Sequence, residues 1–290
     1  MHNAISVDVE DYFHPSEVRQ ALGHRSWDAF VPRVEEATLR VLELFARRGV
    51  RGTFFVLGWV AMRHASLIRR IADAGHEIGC HGFRHDLVFE MTPAQFRADT
   101  ETAQAAIADA CGRRPRVYRA PSYSIRSDSL WALEVLAGLG FTHDSSIYPI
   151  RHDRYGIPGF QRHAAFIPTP SGPILEVPAA TVVLPGGGVA PIGGGAYLRL
   201  LPYRYTAAGI RRVNSSERQP VCIYFHPWEL DAEQPRLAKG WVSRWRTYAG
   251  LKSMESKVDR LLSEFRFRPL TEVFSAPISS SHSRADFRVH

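Results

Sequence analysis

The sequence predicts a single α/β barrel of parallel strands. Apolar β-rich runs alternate with amphipathic helical stretches along the whole chain. Those runs repeatedly stop at ionisable groups, as strands do at the carboxyl end of a barrel. No shift in composition marks a second domain. The 290 residues suit one such unit, since α/β barrels commonly run to about 200–250 residues as one domain. The expected organisation is one domain over residues 1–275 and a Ser-rich tail over 276–290, expected to be disordered. Hydrophobic residues at 45% and charged residues at 22% are ordinary globular values, which excludes a collagenous, coiled-coil or disordered chain.

The elements follow in order. Residues 4–9 form a first strand that stops at Asp8, Glu10 and Asp11. A helix over 31–48 shows an apolar face of Val34, Leu39, Val41, Leu42, Leu44 and Phe45, closed by Gly49 and Gly52. The apolar run 53–57 is long enough for a buried strand and too short for a helix. A helix over 67–74 ends at Gly75, a plausible position for a left-handed glycine. Strand 76–80 and a polar turn over 81–85 come next. Thr92 as cap and Pro93 in the first turn start a helix that runs to about residue 110. Strand 116–118, a helix over 127–137 ended by Gly138 and Gly140, and a short strand over 141–144 continue the alternation. Residues 148–173 are rich in Pro, Gly, Arg and His without periodicity and read as a long functional loop. Strand 174–177, a Gly-rich loop over 186–195 and a helix over 197–213 with Pro202 near its start follow. Strand 221–225 runs into His226-Pro227-Trp228. An amphipathic helix over 248–265 and a short strand near 268–270 complete the set.

Lys and Arg number 36 against 29 Asp and Glu, a formal charge of +7 spread along the chain. This diffuse excess fits an anionic partner without choosing among glycan, nucleic acid and lipid headgroup; a solvated cationic surface is the plainer reading. Cys80, Cys111 and Cys222 are too few for a disulfide framework. The first residues carry no apolar signal segment, and no run approaches the roughly 18–20 residues that span a bilayer. The chain reads as cytoplasmic.

Strand ends are where a parallel α/β fold keeps its reactive groups. Here they carry Asp8, Glu10 and Asp11, then His81 and His85, Arg119 and Tyr123, Asp144, Glu176, and finally His226 and Trp228. His81 and His85 lie four apart. With 13 His in the chain, chance gives roughly 0.6 such pairs, so the spacing alone is weak. The neighbouring carboxylates give it weight, because two imidazoles and one carboxylate make the open three-ligand site that catalytic Zn²⁺ uses. Alternate residues of a strand share a face. Asp8 and Glu10 therefore point to one pocket, one as metal ligand and the other as acceptor of a proton from water, while Asp11 turns away. If the strand ends earlier, Asp11 replaces Glu10 as the ligand. His226, just past an apolar strand that Pro227 stops, is a candidate general acid, set against a packed histidine. Asp144 can fix its tautomer, and Arg119 can hold Asp8 ionised. Trp228, Tyr123 and Tyr148 can form a wall on which sugars stack, although aromatics are core residues by default. Glycines 186–188 and 193–195 lack the Gly-Lys-Ser/Thr ending of a phosphate loop, and no Gly-x-Ser-x-Gly elbow occurs.

The ordered set Ser-Val-Asp8-Val-Glu10-Asp11, Thr53-Phe-Phe-Val-Leu-Gly58, His76-Glu-Ile-Gly-Cys-His81-Gly-Phe-Arg-His85, Arg119-Ala-Pro121-Ser and Phe225-His226 resembles the polysaccharide deacetylases of carbohydrate esterase family 4, the NodB-homology domain. It looks closest to the branch linked to bacterial exopolysaccharide gene clusters with exosortase systems, and it covers about residues 4–272. The resemblance implies a distorted (β/α)7 barrel and one divalent metal, usually zinc, held by a carboxylate and two histidines. Carried over by position, His81 and His85 are metal ligands, Asp8 the general base, Arg119 the arginine of the third motif and His226 the general acid. Asp144 falls where the family places an aspartate that orients that acid. The first motif departs from the usual adjacent Asp-Asp, which leaves Glu10, favoured on strand phase, and Asp11 as the carboxylate ligands to be distinguished. Gly82 stands where Ser or Thr is common, Tyr123 where Gly is common, and the fourth motif lacks its Trp after Asp144.

The leading expectation is a metal-dependent N-deacetylase acting on N-acetylated sugars of an exopolysaccharide or its precursor. A hydrolase of a small cyclic or linear amide on the same scaffold and a catalytically decayed glycan-binding protein are the other two. The expected partner is an N-acetylated glycan. No nucleic acid and no transmembrane segment are expected, peripheral contact with the inner membrane face is left open, and so is the oligomeric state.

Overall fold

Alternation along the strands decides which groups meet in the middle of the molecule. The computed structural model describes residues 1–22, 27–152 and 154–274. Its strands are β1 (Asn3–Val9), β2 (Thr53–Val56), β3 (Glu77–Cys80), β4 (Val117–Tyr118), β5 (His143–Asp144), β6 (Ala165–Ile167), β7 (Ile174–Glu176), β8 (Thr181–Val183), β9 (Val189–Pro191), β10 (Cys222–Phe225) and β11 (Phe267–Arg268). The main sheet runs β10-β1-β2-β3-β4-β5-β7-β6, with β11 paired to β1. From β10 to β7 every pairing is parallel. The last, β6 with β7, is antiparallel. The expected α/β barrel is present as a curled half-barrel: the outer edge of β7 is taken by β6, and no ladder joins β7 to β10 among the described residues.

In β1, Ile5, Val7 and Val9 pack into the main hydrophobic core, as do Phe54 and Val56 of β2 and Ile223 and Phe225 of β10. These positions face the surrounding helices, and each fully buried side chain contributes about 1.5–3 kcal/mol. The alternate residues, Ser6 and Asp8 on β1, Phe55 on β2 and Cys222 and Tyr224 on β10, face inward. Arg119 fills that interior, with Nη1 donating to Ser6 Oγ at 2.8 Å and the guanidinium 4.2 Å from the Phe55 ring. The small inner cluster of Ala4, Phe55, Val117, Leu175, Cys222 and Leu270 closes the far end.

The helices differ from expectation where backbone chemistry overrides periodicity. The helix expected over 31–48 begins at Val34, not at 31, because the Asp11 carboxylate accepts the backbone N–H groups of Arg33 and Val34 and so caps it there. Pro93–Cys111 starts as expected, with a reciprocal Thr92–Gln95 capping box. The stretch expected as one helix over 197–213 is two, Gly195–Leu200 and Tyr203–Arg212. Pro202 lacks an N–H and forces Leu201 into an extended conformation (ψ 152°). The helix expected over 248–265 is present as Leu251–Glu264, and Gly250, at φ +83°, separates it from a preceding helix, Trp241–Tyr248, for which the sequence pattern gave no expectation. The supposed loop over 148–173 contains β6, and the Gly-rich loop contains β9, which forms a hairpin with β8. The tail 276–290 lies outside the described residues. No described helix is long and apolar enough to cross a membrane.

Candidate active site

At the carboxyl ends of these strands lies a cleft of about 800 Å³. Asp8, Glu10, His85, Tyr123, Tyr224, His226 and Trp228 are among its lining residues. Strand β1 stops at Val9, yet Glu10 keeps the inward phase of Asp8. Its Oε1 receives two imidazoles, His81 Nε2 at 3.1 Å and His85 Nε2 at 3.0 Å. All three residues are buried, and their ligand atoms lie within 4.8 Å of one another. His81 Nδ1 donates to the Arg119 carbonyl at 2.8 Å, so its Nε2 presents a lone pair to the carboxylate when the ring is neutral. Lone pairs and an anionic oxygen converging in a buried site are satisfied by a cation, so the donor set fits a divalent metal. Burial disfavours a charged Glu10, but the attraction of His85 and His226, and the hydrogen bonds His81 and His85 give when their rings carry the extra proton, hold its carboxyl well below the usual range.

Asp11 is not part of this group. Besides the cap to Arg33 and Val34, its Oδ1 accepts the Tyr12 N–H at 2.8 Å. The expectation that Asp11 could replace Glu10 as the metal carboxylate is therefore corrected: three backbone donors hold it at a helix start.

Asp8 sits on the other side of Glu10. Arg119 Nη1 donates to its Oδ1 at 2.8 Å, with both side chains buried. Arg119 is itself locked by the Ser145 carbonyl at 3.1 Å and Ser145 Oγ at 3.0 Å. Across the cleft, His226 Nε2 stands 3.9 Å from Asp8 Oδ2 and 3.9 Å from Glu10 Oε1. Burial lowers the proton affinity of His226, but the charges of Glu10 and Glu229 and the Glu229 hydrogen bond prevail, and its pKa is pushed up to about 9.

The residue that orients His226 is Glu229, not Asp144. His226 Nδ1 donates to Glu229 Oε2 at 2.9 Å, and Arg199 Nε donates to Glu229 Oε1 at 2.9 Å. Trp228 stacks on the imidazole, with centroids 5.2 Å apart and planes at 24°. Asp144 faces elsewhere: Ser146 Oγ donates to it at 2.5 Å, and it pairs in register with Glu176 on the next strand. Burial and the charge of Asp144 hold the Glu176 carboxyl well above its usual range, so Glu176 carries the proton of this pair. Sequence reasoning missed Glu229 and Arg199. The Glu three residues after His226, with Pro227 opening the turn between them, was the available signal for a capping box; Arg199 had none.

The expected aromatic wall is partly present. Tyr123 and Trp228 reach the cleft, but Tyr148 is wholly buried beneath Tyr155, with rings 5.7 Å apart at 17°. Tyr155, Tyr197 and Trp245 line the rim instead. Ser122 and Tyr123 both take left-handed backbone conformations, φ +53° and +52°. A glycine adopts that conformation freely and a tyrosine does so with strain.

Residues 26–142 match the family model described as polysaccharide deacetylase, and residues 145–275 match one described as a domain of unknown function, DUF3473. Over 104 residues the chain is 36% identical to the chitooligosaccharide deacetylase of Bradyrhizobium sp. (strain ANU 289). That alignment spans 36% of this chain and 47% of the relative, under half of either. Among solved structures, a protein of Mycobacterium smegmatis provisionally named a polysaccharide deacetylase superposes with a TM-score of 0.58 at 20% identity, over 92% of both chains. An allantoinase superposes with a TM-score of 0.61 at 15% identity, over 93% of this chain and 87% of its own. At these identities the two likenesses establish the fold alone.

Proposed function

The chain carries a polysaccharide deacetylase domain of the NodB-homology type, and from that premise we propose a metal-dependent hydrolase that removes N-acetyl groups from sugars of a bacterial exopolysaccharide or its precursor. The observation that carries the reading is the convergence of Glu10, His81 and His85 between Asp8–Arg119 on one side and His226–Glu229 on the other. Two imidazole nitrogens and one carboxylate are a zinc donor set. A divalent ion bound there supplies Lewis acidity, polarising the amide carbonyl and acidifying water.

The chain's own groups do the proton work. Asp8, clamped by Arg119, takes the proton of the attacking water as the new C–O bond forms. His226, its Nδ1 proton held by Glu229, gives a proton from Nε2 to the nitrogen as the C–N bond breaks. Acetate and a free amine result. Trp228, flat against the imidazole, keeps the ring turned into the cleft. The cleft volume lies towards the upper end of the roughly 300–1,000 Å³ typical of ligand sites, which suits a sugar polymer better than one small amide. A cytoplasmic site of action belongs to the same proposal. The three cysteines are free, and Cys80 and Cys222 are buried, which agrees with a reducing compartment.

Acetate release from N-acetylglucosamine oligomers, measured on zinc-loaded and chelator-treated protein, tests the proposal. Release that needs the metal is expected. Bound metal without acetate would turn the reading towards a non-sugar amide.

A further inference from the structure

Helix Trp241–Tyr248 wears its apolar side outward. Trp241 is 81% exposed, Trp245 56% and Val242 40%, while Thr247 and Tyr248 are buried against the protein. At about 100° per residue, Trp241, Trp245 and Val242 fall on one outward arc, with Arg246 at its edge. A surface helix ordinarily shows the reverse pattern. Exposed Arg236, Lys239, Arg244 and Arg246 lie within this helix or just before it in the chain, and no Asp or Glu occurs between Glu233 and Glu255. Trp245, Arg246 and Thr247 also line the cleft, so whatever covers the helix sits beside the cleft mouth.

We propose that this face docks peripherally on an anionic lipid bilayer, with the cleft mouth at the membrane surface. Indoles settle at the headgroup level of a bilayer, and a helix with aromatics on one side and Arg and Lys around them lies in that interface. Four cations in a stretch that carries no acid of its own supply the attraction to acidic headgroups. A protein interface also takes Trp and Arg but is depleted in Lys, and Lys239 flanks this face; the vesicles decide between the two. A glycan fits less well too: the most exposed indole, Trp241, and its neighbour Val242 lie outside the cleft lining. The inference stands apart from the identity of the substrate.

Co-sedimentation of the full chain with vesicles tests it, comparing phosphatidylcholine alone with equal parts phosphatidylcholine and phosphatidylglycerol. Binding to the acidic vesicles only, weakening as salt rises, is expected. Trp241→Ser and Arg244→Glu should each lower the partition coefficient by about tenfold, with unchanged circular dichroism as the control for folding. Lys239→Glu gives a second charge variant outside the helix. The inference is overturned by equal or absent binding to the two vesicle types, or by variants that bind like the parent. Loss of retention on immobilised N-acetylglucosamine oligomers in Trp241→Ser, without vesicle binding by the parent, would make the helix a glycan platform instead.

Discussion

Glu10 Oε1 is the atom on which the site turns, since two imidazoles point at it from one loop. On the acid side the deciding pair is His226 and Glu229. His226→Ala is expected to lower turnover about 10²–10⁴-fold, the usual contribution of a general acid, while bound zinc stays at the wild-type level by elemental analysis. Glu229→Gln should cost about 10–100-fold, since a positioning residue is lost and the acid itself remains; rescue by Glu229→Asp distinguishes positioning from a merely structural role. That Asp8, Glu10, His81, His85, Arg119 and His226 meet at one end of the sheet was legible because strand phase and strand ends govern their placement. The partner of His226 was not. Order along the strand ends suggested Asp144, but a tautomer is fixed by whatever local turn the chain makes, and Pro227 starts a turn that brings Glu229 back onto the same ring.

Among the elements, the loop between His81 and His85 is the one whose shape the chemistry demands. Gly82 sits at φ +73°, and a Cβ there would meet Asp99 Oδ2 at 3.2 Å. That carboxylate, carried by helix Pro93–Cys111, accepts the Phe83 N–H at 2.9 Å. The departure from Ser or Thr at residue 82 thus goes with an acid that holds the loop from outside. Burial raises the Asp99 carboxyl from 3.8 to about 6, against the opposing backbone hydrogen bonds. A group with a raised folded pKa contributes its stability in full below the unfolded value and loses it as pH rises through the folded one. Between about pH 4 and pH 7 Asp99 should therefore withdraw about 3 kcal/mol from the folded state. Urea unfolding checks this: Asp99→Asn should gain about that much relative to the parent across this range, and a difference that stays flat contradicts it. Long, strongly periodic helices and the apolar strands were legible in the sequence. The short β6 and β9 were not, because three-residue strands carry no periodicity and are made by pairing with a neighbour.

Over the whole molecule, one parallel sheet gathers groups from distant parts of the chain at the same end. Its alternation buries aliphatic side chains outward under the helices and leaves Ser6, Asp8, Arg119 and Tyr224 facing in. Glu10 lies before the matched deacetylase segment, His81, His85 and Arg119 lie within it, and His226 and Glu229 lie in the segment described as DUF3473. The second segment also supplies the cleft rim through Tyr197 and Trp245. The barrel class was readable from strand and helix alternation alone. Its opening beside β7 was not, since the strand that covers that edge lies in a stretch without pattern. The central claim is that Glu10, His81 and His85 form one metal site and that Asp11 stands outside it. Zinc titration by calorimetry on the parent, Glu10→Ala and Asp11→Asn tests this most directly. The account predicts one zinc per chain in the parent and in Asp11→Asn, and at least tenfold weaker binding in Glu10→Ala. Loss of zinc in Asp11→Asn with parental affinity in Glu10→Ala would contradict it.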